Sequence, residues 1–133
     1  KLNNDQIIHF PEGMIGFETL KDFKLFSSET EEYLHWLQAV DDETIEFAVT
    51  IPEIYQIDYE IALDDDEEKL LEIDEGEQPV VLVTLSKKAS PDENETLLNA
   101  NLIAPIIINT NKKLGLQKVL TKQKNPITIT LKG

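Results

Sequence analysis

Cysteine and arginine are both absent from the 133-residue chain. Without cysteine, the protein can hold no disulfide framework, thiolate zinc site or cysteine nucleophile, and this absence fits a reducing cytoplasm. Without arginine, it lacks the side chain that most often reads base edges and holds phosphates bidentately. Because the net charge is also −14, the composition argues against direct nucleic-acid binding.

Long apolar runs are missing as well. No stretch approaches the ~18 residues of a membrane span, and no charged-then-apolar signal peptide precedes the first predicted strand. We therefore expect a cytoplasmic protein with no membrane contact. The length fits one domain over residues 1–133. Since the chain begins at Lys1 and not at Met, we expect it to lie inside a longer product.

The negative charge is distributed unevenly along the chain. Residues 1–77 carry 23 of the 26 acidic residues and four of the 12 lysines, whereas residues 78–133 are mildly basic. An anionic surface attracts basic partners and repels nucleic acids and membranes. The same acidity also supports solubility alone, and charge by itself leaves both readings open.

The hydrophobic pattern predicts mostly β structure. Apolar residues alternate with polar ones over 45–51, 57–63 and 127–131, which is typical of antiparallel strands with one wet face. Two runs without alternation, 80–83 and 106–108, are expected to be covered on both faces. Weaker strand signals are found at 7–10, 23–26, 34–40 and 116–120. Many short strands and few helices favour a small antiparallel β-barrel-like domain of orthogonally packed sheets.

One or two short helices are expected among these strands. Asp64 is a good N-cap for a helix that carries acids in its first turn and an apolar stripe at Leu70, Leu71 and Ile73, with Gly76 as its end. A second turn is expected after Pro52. Turn signals separate the strands at 11–13, 41–42, 90–92, 114–115 and 125–126.

The residue inventory gives little support to catalysis, cofactors or metals. The two histidines, His9 and His35, lie in predicted strands, and neither adjoins a Gly-x-Ser-x-Gly elbow. Carboxylates are so abundant that pairing any two as acid and nucleophile has no specificity. A calcium loop starting at Asp64 would place Lys69 where glycine is required. The glycines of residues 13–16 lack the lysine and serine of a phosphate-binding loop.

Four blocks along the chain form a recognisable series. Residues 10–18 read Phe-Pro-Glu-Gly-Met-Ile-Gly-Phe-Glu and residues 36–40 read Trp-Leu-Gln-Ala-Val. Residues 101–109 read Asn-Leu-Ile-Ala-Pro-Ile-Ile-Ile-Asn and residues 114–120 read Leu-Gly-Leu-Gln-Lys-Val-Leu. In this order they resemble the FliW flagellar assembly factors over almost the whole chain. That family usually has a further strand before Ile7, so we expect a trimmed or disordered N-terminus, since a missing strand would expose a sheet edge.

The resemblance implies a small, cytoplasmic, β-barrel-like protein without enzymatic activity or cofactor. Members of the family bind flagellin and the RNA-binding regulator CsrA, and they lift the repression of flagellin translation by CsrA. Unexported flagellin would occupy this protein and leave CsrA free, whereas export of flagellin would release this protein to capture CsrA. The antagonism requires that occupancy by one partner lowers affinity for the other. Blocking of the RNA site and docking beside it both remain possible mechanisms.

Two groups of acids in connections are the candidate contacts for CsrA, which must be basic to hold RNA. They are Asp41, Asp42, Glu43, Asp64, Asp65, Asp66, Glu67 and Glu68. The second group has an alternative role in complementing the helix dipole. The motif residues are expected to set the fold, as turn glycines, a core aromatic and a strand-start proline, with contact roles as the alternative; they are Gly13, Gly16, Phe17, Asn101, Pro105 and Asn109.

Two other functions compete with this interpretation. An acidic nucleic-acid mimic or chaperone would bind unrelated basic proteins promiscuously and in a salt-sensitive manner. A hydrolase would need a pocket that holds two carboxylates with well-separated pKa values.

Overall fold

The computed structural model describes residues 6–55, 61–88, 95–120 and 127–132. The described part contains eight strands, one α-helix, α1 (Asp65–Leu70), and one 3₁₀ helix (Pro52–Tyr55). The strands are β1 (Gln6–His9), β2 (Asp22–Ser27), β3 (His35–Ala39), β4 (Glu46–Thr50), β5 (Val80–Lys88), β6 (Glu95–Asn109), β7 (Leu114–Gln117) and β8 (Ile127–Lys132). The predicted mostly β class, the helix N-terminus and the turn after Pro52 are confirmed.

Seven of the strands close into a barrel. Their order is β5-β4-β3-β2-β1-β7-β6, and pairing of β6 with β5 completes the ring. All neighbours are antiparallel except β1 and β7, which run parallel where His9 lies opposite Leu114. Strand β8 pairs with the first half of β6, from Glu95 to Ala100. The expected antiparallel barrel is therefore confirmed, with one parallel junction that the pattern did not indicate.

Strand β6 is far longer than expected and changes neighbours along its length. Its second half pairs with β5 and β7, and its first half with β5 and β8. Between the halves the register shifts: Leu82 lies opposite Ile106, but Thr84 lies opposite Asn101. The extra residues on β6 form a bulge, and such irregularities bend a strand so that it can turn a barrel corner.

The main core fills the barrel. It contains Ile8, Phe10, Met14, Phe23, Leu25, Leu37, Ala39, Val49, Leu82, Ile106 and Ile108. Phe10 and Phe23 meet edge to face with ring centroids 5.4 Å apart, a favoured aromatic geometry. On the outer face of the sheet, Ile107 packs with Leu71 and Leu116 beneath α1. Residues 106–108 are therefore buried on both faces, as their unbroken apolar run predicts.

Several local predictions were wrong. Residues 61–63 form no strand, although 57–63 alternates; residues 56–60 lie outside the described part. Helix α1 ends at Leu70, not at Gly76. Thr50 is buried, not on a wet face, and its hydroxyl donates to the Tyr33 carbonyl oxygen at 2.7 Å. The turn predicted at 114–115 lies at 110–113 instead. Residues 1–5, 90–92 and 125–126, which also carried predictions, fall outside the described residues.

The early end of α1 has a local cause. Glu72 adopts a left-handed conformation with φ of 53°, and its N–H donates to the Lys69 carbonyl at 3.1 Å. The N–H of Ile73 donates to the Glu68 carbonyl at 3.0 Å. These two bonds form a Schellman motif, which glycine usually terminates. Here a glutamate takes that position, so no glycine in the sequence marks the helix end.

Candidate functional site

The first acidic group forms the turn between β3 and β4. Asp41, Asp42 and Glu43 are all exposed. The Asp42 carboxylate accepts from the Thr44 hydroxyl at 2.6 Å and from the Thr44 N–H at 3.0 Å. These bonds hold the pKa of Asp42 below its ordinary value. Asp42 therefore shapes its own turn, while the side chains of Asp41 and Glu43 contact no other described residue through a hydrogen bond or ion pair.

The second acidic group begins α1. Asp64 accepts from the Glu67 N–H at 2.8 Å, and Glu67 accepts from the Asp64 N–H at 2.9 Å. This reciprocal pair is a capping box, which satisfies two helix N–H groups. The Lys118 ammonium also forms an ion pair with the Glu67 carboxylate at 2.5 Å, and both side chains are about four-fifths buried. The structure thus uses Asp64 and Glu67 to build and attach the helix.

The remaining acids of this group face solvent. Asp65, Asp66 and Glu68 are exposed, and within the described part their side chains form no hydrogen bond or ion pair. Their charges also lie in the first turn, where the helix dipole favours them. Of the five acids in the predicted run, these three are the ones available to a partner.

Sequence reasoning missed that the acidic surface continues past α1. We call residues 64–77 the acidic segment; it carries nine carboxylates and one lysine. Its second half is held to the turn between β6 and β7. Lys112 pairs with Asp74 at 3.2 Å, and the Asn111 amide donates to Glu77 at 2.5 Å. The Asp74 N–H and this amide lower the pKa of Glu77.

The two predicted acidic groups do not form one cluster. The first lies on the β3–β4 turn, whereas the second lies on α1, which packs on β7. Among the described residues, no hydrogen bond or ion pair joins residues 41–43 to residues 64–68. The assignment of either group to a partner remains a prediction.

The glycine-rich turn after β1 has a conformation that depends on its glycines and on a side-chain hydrogen bond. Gly13 and Gly16 have φ of 71° and 85°, which glycine adopts without strain. The Gly16 N–H donates to the Glu18 carboxylate at 2.9 Å and is the main cause of its lowered pKa. Phe17 packs against the core and meets Phe47 edge to face at 5.8 Å.

Asn101 and Pro105 belong to the bulge of β6. The Asn101 side-chain oxygen accepts from the Ile103 N–H at 2.9 Å and the Ala104 N–H at 3.3 Å. Pro105 lies inside β6 and not at a strand start, which corrects the predicted position. A bulge is one of the few places within a sheet where proline, which has no N–H, is tolerated.

Asn109 ties the barrel to the acidic segment. It is only 3% exposed, and its amide donates to the carbonyl oxygens of Leu71 at 2.8 Å and Glu72 at 3.2 Å. Its own oxygen accepts from the N–H groups of Asn111 and Lys112 at 3.1 and 3.4 Å. One buried amide thus joins the end of α1 to the β6–β7 turn.

The histidines lie on strands, as expected. His9 Nδ1 is 2.8 Å from Asp22 Oδ1, with both side chains about half exposed. His35 Nδ1 is 3.4 Å from Ser27 Oγ, a long contact on the neighbouring strand, and burial lowers the pKa of His35. A serine–histidine nucleophile requires an orienting acid, and the described residues place none on His35.

Among the described carboxyl groups, the resolved pKa shifts all have the same direction and do not form the opposed shifts of an acid–base pair. Three of those described are shifted, Glu18, Asp42 and Glu77, and each is lowered by hydrogen-bond donors. In the described ranges, no group of three or more histidine or acidic side chains is arranged to hold a metal. No helix found there is long and apolar enough to cross a membrane.

Comparison with known proteins decides the family. The family model described as FliW protein matches residues 1–131. The chain belongs to the FliW family. A flagellar assembly factor FliW 1 from Desulfotalea psychrophila is 35% identical over 129 residues, which cover 96% of this chain and 89% of that protein. A flagellar assembly factor FliW from Azoarcus sp. is 36% identical over 124 residues, with 92% and 85% covered.

A solved structure agrees with the sequence comparison. A crystal structure of the flagellar assembly factor FliW is similar to this fold with a TM-score of 0.78 and 32% identity, covering 97% of this chain and 87% of that one. The resemblance inferred from the four sequence blocks is therefore confirmed, and the barrel described above is a FliW barrel. The family is one of flagellar assembly factors.

Proposed function

We propose that this FliW family member acts without catalysis, in the cytoplasm, by binding flagellin and the RNA-binding regulator CsrA. Flagellin and CsrA would oppose each other's binding, so that export of flagellin frees the protein to capture CsrA and restores flagellin translation. The observation that carries the proposal is the acidic segment. Its exposed carboxylates suit a protein whose own function requires a basic surface.

The structure narrows the candidate contact for CsrA within that segment. Asp64 and Glu67 cap α1, and the pairs at Glu67 and Asp74 neutralise two lysines. Five carboxylates of the segment remain as unpaired charges within the described part, namely Asp65, Asp66, Glu68, Glu72 and Glu75. The first three lie together on α1. They therefore form the testable core of the proposed electrostatic surface.

The test is association kinetics of the wild-type chain and a triple variant with CsrA. Replacing Asp65, Asp66 and Glu68 by lysine should slow association several-fold at low ionic strength, because steering depends on the partner's field. The difference in association rate between the wild-type chain and the variant should shrink as salt screens the charges. Replacing the exposed Glu29, Glu31 and Glu32 of the β2–β3 connection by lysine changes the net charge equally and serves as the matched control.

Three results would count against the proposal. Wild-type protein that binds neither cognate flagellin nor CsrA at low salt and micromolar concentration would refute it. Equal association rates for the two triple variants would remove α1 from the contact. Binding of lysozyme with an affinity similar to that for CsrA would favour the alternative of a general acidic chaperone.

A further inference from the structure

The sheet continues beyond the end of β7. The Lys118 N–H donates to the Pro105 carbonyl at 3.0 Å, and the Leu120 N–H donates to the Ile103 carbonyl at 2.7 Å. Both bonds keep the register in which Gln117 lies opposite Ile106. Because Pro105 has no N–H, the ladder is one-sided here. Residues 118–120 nevertheless continue from β7, which ends at Gln117, along the bulge of β6.

Within the described part of the chain, the opposite edge of residues 117–120 is open. Successive residues of a strand direct their backbone N–H and C=O groups to opposite sides. Since Lys118 and Leu120 bond toward β6, the backbone groups of Gln117 and Val119 point away from it. On that side β1 covers only the start of β7, where the His9 N–H donates to the Lys113 carbonyl at 2.9 Å. In the ranges described, nothing hydrogen-bonds the main chain of Gln117 or Val119 on this side.

Apolar side chains border the open edge on one face. Val119 is 57% exposed and Ile15 is 49% exposed. The Gln117 side chain holds the turn containing Ile15 in place, since it accepts from the Ile15 N–H at 2.8 Å and donates to the Ala104 carbonyl at 3.1 Å. The edge is therefore preformed, and the exposed Ile15 is held beside it.

Negative charge borders the other face. Leu116 and Lys118 point toward α1, where Leu116 packs with Leu71 and Lys118 pairs with Glu67. The cleft between α1 and the turn after β1 is lined by Glu12, Asp64 and Asp66 in addition to that pair. Because Glu67 neutralises Lys118, the cleft keeps a net negative charge.

We propose that the outer edge of residues 117–120 binds an extended, basic segment of a protein partner as an added strand. Main-chain hydrogen bonds to Gln117 and Val119 would supply affinity, as in other cases of strand addition. Alternate residues of the added strand would face opposite sides. One set would cover Val119 and Ile15, and the other would meet the carboxylates beside α1. The bound segment should therefore alternate apolar and basic residues.

This inference rests on the proposed function only in assuming that the chain binds proteins. Its test uses a labelled peptide of alternating lysine and valine, with fluorescence anisotropy at low salt. Val119→Pro removes the outward N–H and leaves the two bonds to β6, which Lys118 and Leu120 donate. We expect this variant to weaken peptide binding about tenfold or more, a loss typical of a central hydrogen-bonded contact.

Two comparisons distinguish the loss of the Val119 N–H from the effect of changing its side chain and from the effect of changing the surface charge. Val119→Thr changes the side chain but keeps the N–H, so it should bind the peptide much more tightly than Val119→Pro. Asp66→Lys should weaken peptide binding more than Glu29→Lys, which alters an exposed acid on the β2–β3 connection. A peptide of alternating glutamate and valine should not bind.

The outcomes distinguish the two proposals. Wild-type protein that fails to bind the lysine–valine peptide, or a folded Val119→Pro variant that binds it normally, overturns the inference. The same variants are then titrated with CsrA and flagellin. Peptide binding at the edge without binding of either protein would refute the proposed function and leave the strand-addition site standing. Normal CsrA binding by Val119→Pro would exclude CsrA from this edge.

Discussion

Two asparagine side chains hold irregular parts of the backbone in place. Asn109 saturates the carbonyl oxygens that end α1, and Asn101 stabilises the bulge at which β6 changes neighbours. Unsatisfied buried carbonyl groups cost about 1–3 kcal/mol each. Both asparagines therefore act on the fold, which fits their expected fold-setting role.

The two glycines of the first turn allow a matched test at the residue scale. A Cβ on Gly13 would lie 2.7 Å from the backbone of Glu18, whereas one on Gly16 would meet nothing within 4 Å. Gly16→Ala should cost about 1–2 kcal/mol from its positive φ alone. Gly13→Ala should cost clearly more, because backbone must also move. Urea unfolding measures both, and equal losses would contradict the described geometry.

Residue-scale predictions succeed where the cause is local. Asp64 is recognisable as an N-cap because its partner Glu67 is three residues away. Gly115 shows the opposite case. A Cβ there would lie 2.5 Å from the ring of Phe10, which directly follows the neighbouring strand β1, so this contact between adjacent strands requires glycine. Nothing near Gly115 in the sequence carries that information, and the residue was interpreted as part of a turn.

At the element scale, the acidic segment and the residues leading into it form a layer on the outside of the sheet. Ile61, Leu63 and Ile73 pack against the cluster of Leu71, Ile107 and Leu116. The alternation of apolar residues over 57–63 predicted a strand. Burial of every second residue gives the same sequence pattern in a paired strand and in an unpaired segment that packs on a sheet. The sequence pattern reports which side chains are buried, and it cannot report that residues 61–63 pair with no strand.

Attachment of this layer depends on Asn109, and its removal should loosen the layer. Asn109→Leu leaves the Leu71 carbonyl oxygen without its donor, whereas the Glu72 carbonyl oxygen still accepts from the Lys112 ammonium at 3.1 Å. We expect the variant to destabilise the protein by about 1–3 kcal/mol. Hydrogen exchange should accelerate over residues 61–77 more than in β2 and β3. Gln38→Leu, which removes an amide whose hydrogen bonds go to Glu43 and Glu46 and not to the acidic segment, is the control. Uniform acceleration across the barrel would contradict a separate attachment role.

At the scale of the whole molecule, the charge asymmetry of the sequence is only partly kept in space. The sequence places most acids before residue 78 and most lysines after it. In the fold, Lys112 and Lys118 return to the acidic segment and pair with Asp74 and Glu67. The uncompensated negative charge of the segment is therefore smaller than composition indicates. Of its unpaired acids, the three on α1 are the candidate contact.

The family and its barrel were predictable because four sequence blocks spread over the chain match in order. The open edge at residues 117–120 was not predictable, since it depends on where β1 turns away from β7. A binding surface is formed by elements that meet only in the fold. Composition could therefore indicate the chemistry of a partner, and the fold was needed to show where it has room to bind.

Mutual antagonism of two protein partners is the central claim, and the most direct test is the affinity for CsrA with and without saturating cognate flagellin. Thermodynamic linkage requires that flagellin weaken CsrA binding by the same factor by which CsrA weakens flagellin binding. We predict a Kd for CsrA raised about tenfold or more by flagellin, measured by calorimetry in both orders of addition. An unchanged Kd, with both proteins bound at once, would contradict the account.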